Sequence, residues 1–197
     1  MTTMREALRE YFEVNHFGAD GGYSAKWVDF KLGRIPFPFP NTEARKQAVR
    51  FHDLNHLLTG YRTDTVSEFE ISAWEIGAGC TAFPAAVVIN LGGLAAGVFS
   101  APARVLRAFA RGRRQRAAYA LDYDAMLARE VDDVRRELGI TDAPVTPGFG
   151  DVARFTLAAL AGLLVGLLMF VVLLSPVTLF LWLRWRSQAA SPAAVHE

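Results

Sequence analysis

Residues 155–182 constrain the fold of this sequence most, because this long run carries no charged side chain. A helix needs about 20 apolar residues to cross the hydrocarbon core of a bilayer. A core helix of a water-soluble domain needs one polar face, which this run lacks. We therefore predict a C-terminal transmembrane helix. Trp182 and Trp185, with Arg184 and Arg186, are typical of an anchor at the membrane interface.

The residues ahead of this run indicate a domain boundary. Prolines and glycines between Thr141 and Asp151 are typical of a linker. We divide the chain into a helical domain, residues 1–150, and a C-terminal membrane segment with a short tail, residues 151–197. Helical periodicity upstream of the linker predicts an all-α fold. The single cysteine, Cys80, excludes an intrachain disulfide and favours a reducing compartment. The net charge of +1 gives no argument for a nucleic-acid partner.

His52 and His56 are the first candidate functional residues. On a helix their spacing places both imidazoles on one face, about 6 Å apart along the axis, where both can bind one cation. Asp53 offers an oxygen ligand or a partner for an imidazole. The alternative is a histidine pair that merely forms a partly buried polar face.

Helix boundary signals predict a helix–turn–helix clamp around these histidines. Asn41 is a candidate N-cap, and Gly60 is a candidate C-terminal stop for the first helix. A second helix from about Thr65 to Gly77, capped by Thr63 or Asp64, would return antiparallel and bring Glu68 opposite the histidines. Glu75, on the same face as Glu68, is a candidate for a supporting position. This set of imidazoles and carboxylates suits zinc, iron(II) or manganese(II).

The clamp resembles a known family signature. The segment His52-Asp53-x-x-His56, followed after eleven residues by Glu68, is similar to that of the ubiquinone (coenzyme Q) biosynthesis family usually called Coq-four. The resemblance covers about Phe37 to Ile140. Its later part looks like the family's closing half in the blocks Ala110-Arg111-Gly112-Arg113-Arg114, Leu121-Asp122-Tyr123-Asp124 and Arg135-Arg136-Glu137-Leu138-Gly139-Ile140.

The resemblance implies a function and a site. It implies a carboxy-lyase similar to a 4-hydroxy-3-methoxy-5-polyprenylbenzoate decarboxylase. Such an enzyme removes the carboxylate from ring carbon 1 of a polyprenylated hydroxybenzoate, with hydroxylation at that carbon. It implies that the catalytic metal, usually zinc, is held by His52, Asp53, His56 and Glu68, although iron or manganese remain alternatives. The expected partners are the polyprenylated lipid, the membrane, other quinone-biosynthesis enzymes and a second copy of the chain.

Two other functions remain open. The clamp could staple two helices of a non-catalytic membrane scaffold that holds lipid quinone intermediates and other biosynthetic enzymes. Alternatively, the chain could be a metal phosphohydrolase of the His-Asp type. That class needs a further histidine and aspartate, for which His16 and either Asp122 or Asp124 are available.

Residues 76–103 are uncharged and rich in glycine and alanine. Pro84 and Asn90 make this stretch a weak membrane span, so we expect a buried helix or one wall of a pocket for an apolar ligand. Six arginines follow this stretch, and we expect them to form a solvated helix face or to contact anionic lipid headgroups. They are Arg104, Arg107, Arg111, Arg113, Arg114 and Arg116. We expect the protein at the bacterial inner membrane. The six arginines favour a main domain on the cytoplasmic side, whereas Arg184 and Arg186 favour the opposite orientation.

Overall fold

The computed structural model describes residues 2–28, 31–32, 35–36 and 39–189, and these residues are mostly helical, as predicted. The helices are α1 (Met4–Val14), α2 (Glu43–Thr59), α3 (Thr65–Ala78), α4 (Pro84–Ser100), α5 (Pro102–Gly112), α6 (Tyr123–Leu127), α7 (Val131–Leu138) and α8 (Phe149–Ala189), with a 3-10 turn at Ala118–Ala120. Between α1 and α2, β1 (Trp27–Val28) pairs antiparallel with β4 (Phe39–Pro40), and β2 (Lys31–Leu32) pairs with β3 (Ile35–Pro36).

The helix–turn–helix clamp is α2, the turn after it and α3. Thr42 caps α2 by accepting a hydrogen bond from the Arg45 amide, so the predicted cap at Asn41 is wrong by one residue. The Asn41 amide instead donates to the Ala25 carbonyl, which holds the preceding segment. Gly60 ends α2 with a φ of 75°, a left-handed conformation that glycine adopts without strain. Asp64 caps α3, as expected.

Helix α3 lies at the centre of the domain, between α2, α4 and α5. Its Trp74 is fully buried and donates from Nε1 to Gln115 Oε1 at 2.8 Å. Gly112 of α5 lies against the Trp74 carbonyl, and Gly77 of α3 lies against the Phe109 carbonyl. A Cβ atom at either glycine would overlap the other helix's backbone, so these residues set how closely α3 and α5 approach.

The first turns of α8 belong to the packed domain. Asp151 is buried and pairs with Arg113 and Arg114 at 3.1 and 2.9 Å. Phe155 packs edge-on against Phe109, with ring centroids 5.6 Å apart. Gly162 lies against the backbone of α4. The boundary predicted at residue 150 therefore falls within the first turn of a continuous helix.

Beyond Gly162, the side chains of α8 that the structure describes are largely exposed and apolar. Its exposed side chains include Leu164, Leu167, Leu168, Met169 and Phe170. By length and composition, Phe149–Val171 is long and apolar enough to cross a membrane. The interfacial anchor predicted at Trp182, Arg184, Trp185 and Arg186 concerns side chains outside those the structure describes, and the tail, residues 190–197, lies outside the described residues.

Most of the arginines that follow α4 form ion pairs within the domain. Arg104 pairs with Glu70 on α3. Arg111 pairs with Asp142 at 3.1 Å, and Asp142 also pairs with Arg135 at 2.7 Å. Together with the two ion pairs to Asp151, these pairs join α5 to α3, α7, α8 and the linker that precedes α8.

Candidate metal centre

Three side chains of the clamp converge on one point. His52 Nε2 and His56 Nε2, one helical turn apart on α2, lie 3.1 Å from each other. Glu68, from the first turn of α3, places Oε2 3.4 Å from His52 Nε2 and Oε1 3.4 Å from His56 Nε2. One ligand atom from each of the three lies within 4.8 Å of the others, so they could hold one metal ion.

The outer nitrogen of each imidazole is bonded to an oxygen acceptor. His56 Nδ1 lies 2.9 Å from the carbonyl oxygen of Tyr61, and His52 Nδ1 lies 2.9 Å from Glu75 Oε1. A carbonyl oxygen can only accept, so His56 Nδ1 carries a proton and donates it to Tyr61, which turns Nε2 inward. The Glu75 carboxylate orients His52 in the same way. This arrangement is typical of histidines that bind metals.

Glu75 is fully buried, and hydrogen-bond donors hold it as a carboxylate. Asn55 Nδ2 donates to Oε1 at 2.8 Å, Tyr119 donates to Oε2 at 2.9 Å, and Asn90 Nδ2 also donates to Oε2. Burial alone would raise the pKa of Glu75, but the charge of His52 and these donors lower it. The network ties α2, α3, α4 and the 3-10 turn together behind the three converging side chains.

The carboxylates around His52 favour its protonated form. Burial alone would lower the pKa of His52, but Glu75 and Glu68 outweigh burial and raise it well above the usual value. Burial likewise opposes ionisation of Glu68, but hydrogen bonds from His52 and His56 lower its pKa to about 2. The two carboxylates therefore favour positive charge at this point, which a divalent cation would supply in place of the His52 proton.

Asp53 lies near the converging group but outside it. Its carboxylate is buried and accepts a hydrogen bond from the Tyr23 hydroxyl at 2.5 Å. Burial raises the pKa of Asp53. The structure thus brings together three of the four ligands that the resemblance implies, whereas the fourth, Asp53 of α2, is bonded to Tyr23 from the segment before α2.

The residues considered for a phosphohydrolase are dispersed. His16 is exposed in the turn after α1, where its φ is 57°. Asp122 caps α6, and Asp124 lies 4.0 Å from Arg50. Among the described residues, none of the three joins the candidate metal group.

A cavity of about 40 Å³ lies beside His52, between α2 and α4. Its walls are largely apolar, and it is lined by Ala48, Val49, Ala86, Ile89, Asn90 and Tyr119. Asn90 is buried, and its Oδ1 is the one buried side-chain oxygen or nitrogen in the described part of the chain without a hydrogen-bond partner. A buried acceptor left in this state costs free energy, so a donor that enters the cavity would be favoured.

The sequence did not identify all of these residues. Asn55 follows His52 by three residues, so the shared helical face was a usable signal. Asn90 and Tyr119 reach Glu75 across 15 and 44 residues, and no local pattern marks such contacts. Comparison of the chain with protein-family models, with curated proteins and with solved structures finds no match.

Proposed function

We propose that this chain is a metal-dependent enzyme that decarboxylates a polyprenylated hydroxybenzoate at ring carbon 1, a step of ubiquinone biosynthesis. The observation that carries the proposal is the convergence of two oriented Nε2 atoms and one carboxylate. Three protein ligands leave a coordination position for water or substrate, which is typical of catalytic rather than structural zinc sites. Zinc is the proposed metal by resemblance, with iron(II) and manganese(II) as alternatives.

His52, His56 and Glu68 would hold the cation, while Glu75 and the Tyr61 carbonyl orient the imidazoles. A bound cation supplies a Lewis acid that polarises a carboxylate or phenolate oxygen of the substrate. In simple decarboxylation the bond from ring carbon 1 to the carboxylate breaks, carbon dioxide leaves and a proton takes its place. Hydroxylation at that carbon instead requires an oxidant such as dioxygen. Zinc itself has no redox chemistry, so the oxidative form favours iron or manganese.

The surroundings of the site suit an aromatic lipid. The cavity beside His52 has apolar walls, but its volume of about 40 Å³ is too small to enclose an aromatic ring, so ring binding there would require α2 and α4 to separate. Helix α4 carries no charge, and α8 is long enough to span a bilayer, where a polyprenylated substrate is dissolved. We place the protein at the bacterial inner membrane with its main domain in the cytoplasm, next to other quinone-biosynthesis enzymes and a second copy of the chain.

The decisive experiment measures metal content and turnover in the same detergent-purified samples. We would compare wild type with His52→Ala and Glu68→Ala, using a prenylated hydroxybenzoate with a short tail as substrate. His16→Ala is the matched control, because it removes an exposed histidine outside the group. We expect stoichiometric metal and turnover in wild type and in the control, and loss of both in the two site variants.

A non-catalytic scaffold is the second candidate. The observation that favours it is the buried Glu75 network, which joins α2, α3 and α4 whether or not chemistry occurs. In that case wild type would bind metal without turnover, and the site variants would lose metal and unfold. If metal is absent from wild-type protein, both versions of the metal clamp are wrong.

A further inference from the structure

We propose that the tip between α4 and α5, residues 96–102, is embedded in the leaflet that α8 enters, with Phe99 among the acyl chains. The tip would place one end of the helical domain within the bilayer rather than above it. This inference rests on the membrane part of the proposed function. It follows from the directions of four helices and from the chemistry of the tip.

Contacts along α3 show the direction of α4. Gly93 of α4 lies against Ser72, and Gly97 lies against Phe69. Later residues of α4 therefore meet earlier residues of α3, so the two helices are antiparallel.

Contacts of α5 show how α5 and α8 run relative to α3 and α4. Arg104, at the start of α5, pairs with Glu70, whereas Phe109 lies against Gly77, so α5 and α3 run in the same direction. Phe109 also packs on Phe155, and Arg113, one turn later, pairs with Asp151, so α5 and α8 run in opposite directions. It follows that α4 and α8 run in the same direction, toward the apolar end of α8.

The register between α4 and α8 sets the depth of the tip. Gly162 lies against the Leu91 carbonyl and the Ala95 side chain. Phe99 lies one turn beyond Ala95, which brings it level with about Gly166 of α8. The first part of the apolar stretch Phe149–Val171 packs on the domain as far as Gly162, so the part of α8 that is free to contact lipid begins near Leu163, and about 20 residues from there end at Trp182. The tip therefore reaches the depth at which α8 is already in hydrocarbon.

The tip has the composition of a surface that contacts lipid. Phe99, within the tip, is 77% exposed. No charged residue occurs in residues 76–103, and the exposed Arg104 and Arg107 follow directly after the tip. An apolar tip followed by arginines suits the boundary between acyl chains and anionic headgroups.

Exposed apolar character alone does not select this end of the molecule. Phe149, at the start of α8, is 91% exposed, yet it lies at the opposite end of the packed part of α8. Helix direction places Phe99 in lipid and Phe149 in water. The two phenylalanines therefore form a matched pair for a test.

The test uses full-length protein in nanodiscs of mixed phosphatidylglycerol and phosphatidylcholine, with an environment-sensitive fluorophore on a single introduced cysteine. The variants are Phe99→Cys, Phe149→Cys and Leu167→Cys, all at exposed positions. Burial raises the pKa of the native Cys80 thiol to about 12, so wild type serves as an unlabelled background. Acyl-chain nitroxide lipids and aqueous iodide are the two quenchers.

We expect the Phe99→Cys probe to emit at shorter wavelength, to be quenched by nitroxide lipid and to be several-fold less sensitive to iodide than the Phe149→Cys probe. The Leu167→Cys probe should also be quenched by nitroxide lipid, which checks that α8 is inserted. If iodide quenches the Phe99→Cys and Phe149→Cys probes equally while Leu167→Cys is in lipid, the tip stands clear of the bilayer and the inference is wrong.

Two other outcomes would also overturn the inference, for different reasons. Protection of the Phe99→Cys probe from both quenchers would show that a second protein copy covers the tip. An iodide-sensitive Leu167→Cys probe would show that α8 is not inserted, and the membrane part of the proposed function would fail with it. Neither outcome bears on metal binding, which the histidine variants test separately.

Discussion

At the scale of single residues, the candidate site depends on Glu75 as much as on the three converging side chains. Glu75 orients His52, and it is the acceptor for Asn55, Asn90 and Tyr119. A carboxylate in this position binds Nδ1 of His52 and so turns Nε2 toward the place where a cation would lie. It also accepts hydrogen bonds from three buried donors.

We expect Glu75→Gln to weaken metal binding about 10- to 100-fold, which is typical of losing a carboxylate behind a metal-binding histidine. The variant should also lower the free energy of unfolding by about 1–3 kcal/mol, because its amide cannot accept from all the donors. Metal titration and urea unfolding measure the two effects. Glu70→Gln on the same helix removes the surface pair with Arg104 and should leave metal affinity unchanged. If the two variants bound metal with equal affinity, Glu75 would have no role in metal binding.

The pH dependence of the metal-free protein follows from the shifted groups. The pKa of Glu68 is about 2 against an ordinary 4.5, so its stabilising contribution is present above pH 4.5 and is lost as pH falls toward 2. The pKa of His52 is raised, so its contribution is present below its ordinary 6.5 and is lost as pH rises through the higher value.

We expect chelator-treated protein to lose stability on the acid side between about pH 4.5 and 2, and Glu68→Gln to flatten that slope. Metal affinity should rise with pH on the alkaline side, because the proton on His52 no longer competes with the cation. Unfolding curves and metal titrations across pH measure the two effects. An acid slope that is the same in wild type and Glu68→Gln would contradict the assigned ion pairs.

The sequence predicted which side chains converge better than it predicted the residues that hold them in place. The spacing of His52 and His56 fixes their common face through local helix geometry, and one turn returns Glu68 to them. The role of Asp53 depends on the position of Tyr23, thirty residues earlier, which local spacing does not define. The same holds for Asn90, whose amide reaches the site only because α4 packs against α3.

At the scale of helices, the close approach of α3 and α5 positions the second half of the clamp. Gly112 has no room for a side chain, because a Cβ atom there would overlap the Trp74 carbonyl. Separating these helices would shift α3, which carries both Glu68 and Glu75.

We expect Gly112→Ala to lower the free energy of unfolding by about 1–3 kcal/mol, the usual cost of overpacking, and to reduce metal affinity with it. Gly92→Ala is the matched control, since a Cβ atom on that glycine of α4 would meet nothing within 4 Å. The control should be neutral or stabilising by up to about 1 kcal/mol, because alanine is the better helix former. Urea unfolding in detergent distinguishes the two, and equal stability would show that α3 and α5 can separate without cost.

Helix boundaries were predicted more accurately than helix environments. The glycine and aspartate signals at Gly60 and Asp64 act locally, and the structure confirms both. The arginines after α4 were expected to face solvent or lipid headgroups, yet most of them pair within the domain. Their partners Asp142 and Asp151 lie in the linker and in α8, which sequence spacing alone could not bring together with α5.

At the scale of the whole molecule, α8 contributes both to the packed domain and to the membrane segment. The uncharged run of α8 predicted a membrane span, but it did not predict that Phe155 and Ala159 are buried against the domain. Apolar residues suit both a protein core and a lipid bilayer, so the sequence does not distinguish the two. Domain packing ends near Gly162, and the described side chains of α8 beyond it are largely exposed. The packed part of the chain therefore extends into α8 as far as about residue 162.

Two truncations distinguish these boundaries. A chain that ends at Leu167 keeps the Asp151 ion pairs, the Phe155 contact and the approach of Gly162 to α4. We therefore expect it to retain metal and to unfold at the wild-type urea midpoint in detergent. It should lose stable membrane association, because most of the exposed apolar part of α8 is removed. A chain that ends at Gly148 loses all three contacts and exposes the inner faces of α4 and α5, so it should aggregate or unfold at lower urea. Urea unfolding, metal content and vesicle flotation measure these outcomes. If the chain ending at Gly148 matched the longer one in stability, the first turns of α8 would be dispensable to the domain, and the boundary would lie at residue 150 as the linker suggests.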